Sequence, residues 1–347
     1  MLALRPAALS IGLIDAPGGR KFHDGNVPII GGIAMFAGIF AGMILVPFEN
    51  NVLLSVFIAS SILVVIGVLD DRFKLPAIVR LASQVVAVIL MVYGAGLSLT
   101  DIGDPFGTGI ISMGPLALVF TMLVTLTMIN AYNFVDGADG LAGSLTIIAL
   151  LAVAVVTDLS NPAAKAALSI SAAIAGFLLF NFPTLLNRSV RSFMGDAGST
   201  FLGFTVVWIT LGVSQGPASV ISPVHCLWFA AIPIFDFLAC FVHRVLKGKS
   251  PFAPGRDHFH HILLRGGLRV RQTLGILTGL QLVYAIVALY CHSEGVPDVV
   301  MFTAWSVLGV TQRHVIRQIS RYHRCHLLKK LRMQRELRSQ ETQRAPI

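Results

Sequence analysis

Charged side chains are scarce in this 347-residue chain. Asp, Glu, Lys and Arg together make up 12% of it, whereas soluble globular proteins carry about 25%. Hydrophobic residues make up 55%, and the mean hydropathy is +0.78. This composition excludes an ordinary soluble protein and predicts an all-α polytopic membrane protein.

Cysteine is also rare. The chain has four cysteines, of which three lie in apolar runs and one, Cys325, lies in a basic segment near the end. This placement excludes a disulfide framework and shows no metal-binding spacing.

Long apolar runs fill most of the chain. A helix needs about 20 apolar residues to cross a bilayer. Runs near that length lie at 27–48, 52–69, 77–97, 115–131, 140–157, 163–183, 197–213, 222–242, 273–291 and 299–318. We therefore expect about ten transmembrane helices.

Lys and Arg set the orientation of these helices. With the 70–76 connection in the cytoplasm and the sides alternating, only Lys165 of the 26 Lys/Arg falls on the opposite side. This asymmetry follows the positive-inside rule and predicts that the polar clusters all face the cytoplasm. On the opposite side, the glycine-rich 98–114 loop predicts a short hairpin.

Positive charge is concentrated at the end of the chain. Residues 313–347 hold ten Lys/Arg and two Glu, a net charge of +8 out of +9 for the whole chain. The remainder is nearly neutral, so nucleic acid is not expected as a partner. We predict an integral membrane domain over 1–318 and a basic cytoplasmic tail over 319–347 that contacts anionic lipid.

The most informative stretch runs from Asn130 to Gly143. Asn133, Asp136 and Asp139 follow each other at intervals of three, and two Asp-Gly pairs lie between apolar runs. Asp-Gly is ordinary turn chemistry, which is the alternative interpretation. Two such pairs favour a site, since glycine lets the backbone approach a ligand closely.

Two further acidic clusters lie at the ends of apolar runs. Asp70 and Asp71 end one run, where a helix C-terminus disfavours anions. Either a metal or bound cationic group offsets their charge, or the two acids are solvated at the interface with Arg72 as partner. Asp196 precedes another run and serves either as a helix cap or as a ligand. Phe193 beside it has a ring that can stack on a base.

Basic and histidine clusters complete the pattern. Lys21 lies in a segment that suits phosphate, although it can also simply flank the first span. His258, His260 and His261 can bind a metal or a pyrophosphate. The many Asp and Asn oxygens predicted for the same face suit Mg²⁺ better than Zn²⁺.

One acid lies deeper. Asp236 falls inside the 222–242 run, and such carboxylates are functional candidates. An ion pair with Arg244, two helical turns further on, is the interpretation we slightly favour.

Together these clusters predict a site for a divalent metal and a phosphorylated nucleotide at the bilayer surface. A second substrate with a lipid tail would explain the many spans. Phosphoryl transfer depends mostly on positioning and charge neutralisation, which these residue types supply.

At this point the motifs resemble a known family, the polyprenyl-phosphate N-acetylhexosamine-1-phosphate transferases. The matching segments are Arg20-Lys21-x-His23, Pro28-x-x-Gly31-Gly32, Leu69-Asp70-Asp71-Arg72-Phe73, Asn133-x-x-Asp136-Gly-x-Asp139-Gly140-Leu141, Phe193-Met-Gly-Asp196-Ala-Gly-Ser-Thr200, Ile221-Ser-Pro-Val224, Lys247-Gly-x-Ser250-Pro251-Phe252 and His258-x-His260-His261. They run in order from about residue 13 to 272, and the chain is most similar to the branch that uses UDP-N-acetylglucosamine.

The resemblance implies a reaction and a location. N-acetylglucosamine 1-phosphate passes from UDP-N-acetylglucosamine to undecaprenyl phosphate, UMP is released, and lipid-linked O-antigen or common-antigen synthesis begins. The enzyme would lie in the bacterial cytoplasmic (inner) membrane with its active site facing the cytoplasm. It would require Mg²⁺, which Mn²⁺ can replace.

The resemblance also implies roles for individual residues. Asn133 and Asp196 would serve the Mg²⁺ site. Asp70, with Asp71 beside it, would act as base or positioner for the lipid phosphate. The remaining roles are catalysis and nucleotide contact for Asp136 and Asp139, uracil stacking for Phe193, substrate binding for Lys21, and contacts to sugar or pyrophosphate oxygens for His258, His260 and His261.

One departure and two alternatives stay open. Arg80 stands where many relatives carry lysine, and we assign it no role, because the two side chains bind phosphate differently. The donor could instead be another UDP-N-acetyl sugar, of the fucosamine, quinovosamine or muramoyl-pentapeptide type. A cation-coupled membrane transporter is the alternative from another class; such proteins place their acids near the middle of the bilayer.

Overall fold

The computed structural model describes residues 1–15, 26–44, 46, 50–182, 192–248, 255 and 257–344. Within these residues the chain forms α1 Arg5–Ser10, α2 Gly31–Met43, α3 Asn50–Phe73, α4 Ala77–Ala95, α5 Ala117–Val135, α6 Leu141–Val156, α7 Pro162–Asn181, α8 Gly195–Ser214, α9 Pro223–Phe229, α10 Ala231–Val245, α11 Phe259–Arg265, α12 Val270–Ser293 and α13 Asp298–Arg344. Two short strands, β1 Ile14–Asp15 and β2 Val27–Pro28, pair antiparallel. The all-α prediction is therefore confirmed apart from these two strands.

Local sequence signals set several helix ends. Asn161 caps α7 by accepting a hydrogen bond from Ala163 N at 2.8 Å, and Pro162 follows at the first helical position. Ser222 caps α9 in the same way ahead of Pro223. Proline at this position removes a backbone N–H that would have no partner in the helix.

Within the described residues, six helices are long and apolar enough to cross a membrane: α3, α4, α5 with the turn before it, α7, α8 and α12. The α9–α10 pair is bent by 86° and makes a seventh if it is one span. The chain is thus a multi-pass membrane protein. The predicted number of about ten spans is not confirmed.

Helix length accounts for part of the shortfall. The run 222–242 covers the two helices α9 and α10, and each of the other nine runs coincides with one helix. Of these helices, α2 and α6 have only 13 and 16 residues. The last run, 299–318, is the first part of α13, which continues without a break to Arg344. No change of secondary structure marks the predicted start of the tail at residue 319.

Helix α8 lies at the centre of the bundle. Of its most apolar 18-residue window 83% is buried, whereas the corresponding shares of the other single spans are 28–44%. It packs against α2, α3, α5 and α6. Gly67 of α3 faces the backbone of Ala197, where a Cβ atom would overlap it. This close approach holds the end of α3 against the start of α8, where the candidate site lies.

The 98–114 segment forms the predicted hairpin. Ile102 N donates to Ile111 O at 3.1 Å and Met113 N donates to Thr100 O at 2.7 Å. The Asp298 carboxylate ties this segment to α9 by accepting hydrogen bonds from Asp104 N at 2.9 Å and Ser222 Oγ at 2.6 Å. This polar anchor lies beyond the C-terminus of α8, at the opposite end from the candidate site.

Candidate active site

Asp196 lies in the first turn of α8, at the end of the bundle where α3 and α5 finish. Its Oδ1 accepts a hydrogen bond from Asn133 Nδ2 at 2.8 Å, and the same nitrogen donates to Ser199 Oγ at 3.0 Å. The Asn133 amide thus uses both hydrogens inside the protein, which leaves its carbonyl oxygen as the group for a ligand. The fold therefore brings the two predicted metal residues together.

Asp71 holds the start of α8. Its carboxylate accepts hydrogen bonds from the backbone nitrogens of Asp196 at 3.0 Å and Ala197 at 3.4 Å. These N–H groups have no partner within their own helix, and the helix dipole favours an anion there. Gly195 has φ +72°, and a Cβ atom there would overlap the Asp71 carboxylate. Both oxygens of Asp71 are therefore engaged in positioning Asp196.

Asp70, although adjacent, has different partners. It is buried, and its Oδ1 accepts a hydrogen bond from Leu75 N at 2.7 Å. Its Oδ2 accepts one from Arg80 Nη1 at 3.2 Å, and the same guanidinium nitrogen lies 4.0 Å from Asp196 Oδ2. Arg80 therefore links the carboxylates of two helices, a role that the sequence analysis did not assign.

A sequence signal for Arg80 did exist. It is the only charged residue within the apolar run 77–97. It also follows directly on the short connection from Asp70, and such a connection packs consecutive helices against each other. A single cation at the start of a span, across a tight turn from an acidic pair, predicts that the cation pairs with one of the two acids.

Asp136 and Asp139 follow the end of α5. Burial raises the pKa of Asp136 well above its usual range, and the charges of Asp196, Asp71 and Asp139 raise it further. The shift means that these carboxylates lie within electrostatic reach of one another. These four carboxylates outnumber the two nearby cations, Arg80 and Lys74.

Asp236 pairs with His258 and not with Arg244, so the favoured ion pair was wrong. His258 Nδ1 lies 3.0 Å from Asp236 Oδ2, and Phe259 N donates to Asp236 Oδ1 at 2.8 Å. Cys240 Sγ lies 3.5 Å from the same His258 nitrogen. Asp236 thus fixes both the ring of His258 and the start of α11.

The His258–Asp236 pair makes stability depend on pH. Burial alone would lower the pKa of His258, but the Asp236 and Cys240 side chains outweigh it and raise the pKa to about 9. An unfolded histidine titrates near 6.5, so this stabilisation is complete below about pH 6.5 and is lost as the pH rises to about 9. We expect the Tm of the purified protein to fall across that interval.

An Asp236→Asn variant tests this expectation, because it removes the charge that raises the pKa of His258. Its Tm profile should be flatter between pH 6.5 and 9. A variant of the exposed His314, His314→Gln, should retain the wild-type slope. An unchanged slope in Asp236→Asn would contradict the assignment.

The histidine cluster lies against the loop after α5. The rings of His258 and Phe134 are 4.9 Å apart, and a Cβ atom on Gly137 would overlap His260 Nε2. The rings of His260 and His261 are 4.1 Å apart. The structure therefore brings all three predicted histidines next to the Asn133–Asp139 segment.

His260 is the most enclosed of the three. It is buried, and neither of its ring nitrogens has a hydrogen-bond partner within the described part of the chain. Burial lowers its pKa well below the usual value, and the neighbouring His261 and His258 add to the effect. A neutral imidazole without partners can both donate and accept a hydrogen bond, which suits a polar substrate group.

Phe193 is held by its backbone. Its N donates to Pro28 O at 3.0 Å, and its O accepts from Gly31 N at 2.9 Å. These bonds fasten the segment before α8 to β2 and the start of α2. The half-buried Phe193 thus has a fixed place next to Asp196 in the chain, whereas Lys21 lies outside the described residues.

A groove of about 320 Å³ opens beside the carboxylates. Its polar lining includes Arg80, Asn133 and Asp196, and apolar side chains such as Ile66, Ile78 and Leu81 cover the remainder. Helices α3, α4, α5 and α8 form its walls. The groove thus joins a charged end to an apolar wall.

The placement of the acids defines the class of protein. Asp70, Asp71, Asp136 and Asp196 all lie at helix ends, whereas coupled transporters hold their acids between spans near the midplane. The transporter alternative is therefore not supported. A carboxylate cluster beside an arginine, three histidines and an apolar groove fits a membrane enzyme that acts on phosphorylated substrates.

Comparison with known proteins identifies the family. The sequence pattern of glycosyl transferase family 4 matches residues 53–214, which comprise helices α3 to α8. The chain is 38% identical over 301 residues to a protein of Escherichia coli K12, covering 86% of this chain and 82% of that one. The chain belongs to this family.

Relatives from other bacteria are about equally similar to this chain and carry the same name. A protein of Yersinia pestis is 38% identical over 80% of this chain and 76% of its own length. One of Salmonella typhimurium is 35% identical over 96% of this chain and 92% of its own length. All three proteins are named undecaprenyl-phosphate alpha-N-acetylglucosaminyl 1-phosphate transferase. The predicted family resemblance is confirmed.

Proposed function

We propose that this protein transfers N-acetylglucosamine 1-phosphate from UDP-N-acetylglucosamine to undecaprenyl phosphate. An oxygen of the lipid phosphate attacks the β-phosphorus of the donor, and the bond from that phosphorus to the bridging oxygen breaks. UMP leaves, and the lipid carries a pyrophosphate-linked sugar. This product would begin a lipid-linked polysaccharide of the O-antigen or common-antigen type.

The observation that carries the proposal is the junction of Asp70, Arg80, Asp196 and Asn133 at one end of the groove. Phosphoryl transfer needs groups that hold and neutralise phosphates in line, and it needs little covalent chemistry from the protein. Relatives that share 34–38% identity carry the name of this activity.

The acceptor fits the groove beside Arg80. A guanidinium binds a phosphate through parallel N–H bonds, and the apolar wall suits a polyprenyl chain. Asp70 holds Arg80 in place at 3.2 Å and is the carboxylate assigned to the acceptor phosphate. Asp71 acts indirectly, because the N-terminus of α8 occupies both of its oxygens.

The residues fit a Mg²⁺ ion. Burial raises the pKa of Asp136, and the charges of Asp196, Asp71 and Asp139 raise it further, so a cation bound here would offset the clustered carboxylates. The oxygen donor set suits Mg²⁺, and Mn²⁺ accepts the same donors. Asp196 and the Asn133 carbonyl oxygen would hold the metal, which when bound supplies positive charge against the donor pyrophosphate.

The donor is assigned to the face made by Phe193, the loop after α5 and the histidines. Asp136 and Asp139 are assigned to catalysis and nucleotide contact. The sugar and pyrophosphate oxygens are assigned to the histidine cluster, where His260 offers two nitrogens that have no partner among the described residues. His258 keeps its orientation through Asp236, which is a positioning residue.

Phe193→Leu tests the nucleotide assignment. Stacking on an aromatic ring contributes about 1–3 kcal/mol per base, so we expect the KM for the donor to rise roughly tenfold with little change in kcat. The control is Phe106→Leu, in the 98–114 hairpin at the opposite end of the bundle. An unchanged donor KM in Phe193→Leu would remove the stacking role.

The enzyme is assigned to the bacterial cytoplasmic membrane, with its site facing the cytoplasm. The support is the distribution of Lys and Arg, since only Lys165 of 26 falls on the other side under this orientation. UDP-sugars and Mg²⁺ are then available to the site directly.

Product analysis tests the proposed function. Purified protein in detergent, with Mg²⁺, undecaprenyl phosphate and UDP-N-acetylglucosamine, should release UMP and form a lipid-pyrophosphate sugar. Release of UDP would mean transfer of the sugar without its phosphate and would overturn the mechanism. Activity only with a fucosamine, quinovosamine or muramoyl-pentapeptide donor would replace the proposed sugar and keep the chemistry.

A further inference from the structure

A second cleft, of about 380 Å³, lies where the end of α10, helix α11 and the middle of α13 meet. It is separate from the groove beside Arg80 and shares no lining residue with it. Its lining consists of His243, Lys247, Asp257, Ile262, Arg265, Arg313, Arg317, Ser320, Arg321 and Arg324.

The charged residues that line this cleft are nearly all cationic. Six of its ten lining residues are Lys or Arg, a seventh is His243, and the single acid is Asp257. On α13 the cations Arg313, Arg317 and Arg321 recur every four residues, and like charges at that spacing destabilise a helix. An anion in the cleft would turn this repulsion into attraction.

Arg313 is the least exposed Lys or Arg of this cleft, and part of its guanidinium has no partner within the described residues. Arg313 Nη1 donates to Ala239 O at 3.2 Å and lies 3.7 Å from Cys240 Sγ. Its Nε and Nη2 are buried and have no hydrogen-bond partner within the described residues. Buried charged donors without acceptors are costly, so a ligand that brings acceptors to these two nitrogens would be stabilised.

The cleft is also a fixed structure. Ser320 Oγ donates to Ile262 O at 2.8 Å, and His323 Nδ1 lies 3.1 Å from Gly266 O. These bonds fasten α13 to α11 along one wall. The two helices that carry most of these cations are thus held together before any ligand arrives, which lowers the entropic cost of binding one.

We propose that this cleft binds a phosphate group, from either an anionic phospholipid headgroup or a soluble phosphate. Planar guanidinium groups match phosphate oxygens in pairs, and four arginines on one helix face provide several such pairs. On α13 the cleft spans the end of the apolar run 299–318 and the residues that follow it, so a headgroup at the membrane edge can reach it. The site is distinct from the proposed catalytic one, and its test does not depend on turnover.

The experiment measures binding directly. Native mass spectrometry of the detergent-solubilised full chain would titrate phosphatidylglycerol against phosphatidylcholine, and calorimetry would titrate inorganic phosphate and pyrophosphate. Arg317→Gln combined with Arg321→Gln changes two exposed side chains, so the fold should stay intact, which the Tm verifies. We expect saturable binding of one anion class that this double variant weakens about tenfold or more.

The matched control is Lys329→Gln, an exposed cation on the same helix but outside the cleft. It should leave the affinity unchanged. Equal loss in the control, or no saturable binding of any of these anions, would overturn the proposal. A matching loss of affinity for UDP-N-acetylglucosamine in the double variant would assign the cleft to the donor and would also overturn it.

Discussion

Replacing Asp196 by asparagine is expected to lower kcat/KM by about 10³-fold with little change in Tm. Asparagine has nearly the same shape, and its oxygen can still accept the hydrogen bond that Asn133 donates at 2.8 Å. It removes the negative charge, however, and with it the proposed metal ligand. Loss of one preorganised electrostatic group typically costs about 10²–10³ in rate, and loss of a ligand adds to this.

The measurement is a Mg²⁺ titration of activity in both proteins. The variant should need a higher Mg²⁺ concentration for half-maximal rate. Asp158→Asn alters an exposed carboxylate at the start of the α6–α7 connection and should behave like the wild type. Wild-type turnover and Mg²⁺ dependence in Asp196→Asn would remove the metal assignment.

Arg80→Gln should be nearly as damaging, with a loss of about 10²–10³-fold in kcat/KM for the lipid acceptor. Arg80 neutralises the buried Asp70 at 3.2 Å and lies 4.0 Å from Asp196. Removing one partner of such a pair leaves the other charge uncompensated and costs about 2–5 kcal/mol. The acceptor phosphate also loses its proposed guanidinium contact.

Arg80→Lys separates charge from geometry, because lysine keeps the cation and loses the planar fork. We expect it to remain within about tenfold of the wild type if charge neutralisation is the main contribution of Arg80. The control is Arg72→Gln, since Arg72 binds Ile11 O at 3.0 Å and covers the Phe73 ring. Wild-type acceptor kinetics in Arg80→Gln would exclude the proposed role.

The adjacent acids Asp70 and Asp71 illustrate what a motif can predict. Their position at the end of an apolar run correctly indicated a polar site at a helix end. Consecutive helical side chains point about 100° apart, however, so two neighbours in sequence meet different parts of the protein. One contacts Arg80 across a turn, and the other caps α8, which begins 124 residues later.

Asp236 shows the opposite case, in which local spacing gave the wrong partner. Arg244 is two helical turns away in sequence, a separation that suggested an ion pair. The bond to His258 depends on how the segment before α11 folds back onto α10. Helical periodicity contains no information on that packing. The burial of the Asp236 carboxylate did predict that some cation or hydrogen-bond donor would compensate for its lost hydration.

The sequence by itself determined the class of the protein, the position of its apolar helices and nearly all of the candidate site residues. Those features depend on composition, on runs of about 20 residues and on polar clusters at their ends, and all of these are local. The tertiary structure decided which carboxylate meets which cation, the break between α9 and α10, and the length of α2 and α6. It also made one cleft from cations on α11, on α13 and just after the end of α10. Such contacts join residues that are distant in the chain, and only the packing of the whole bundle fixes them.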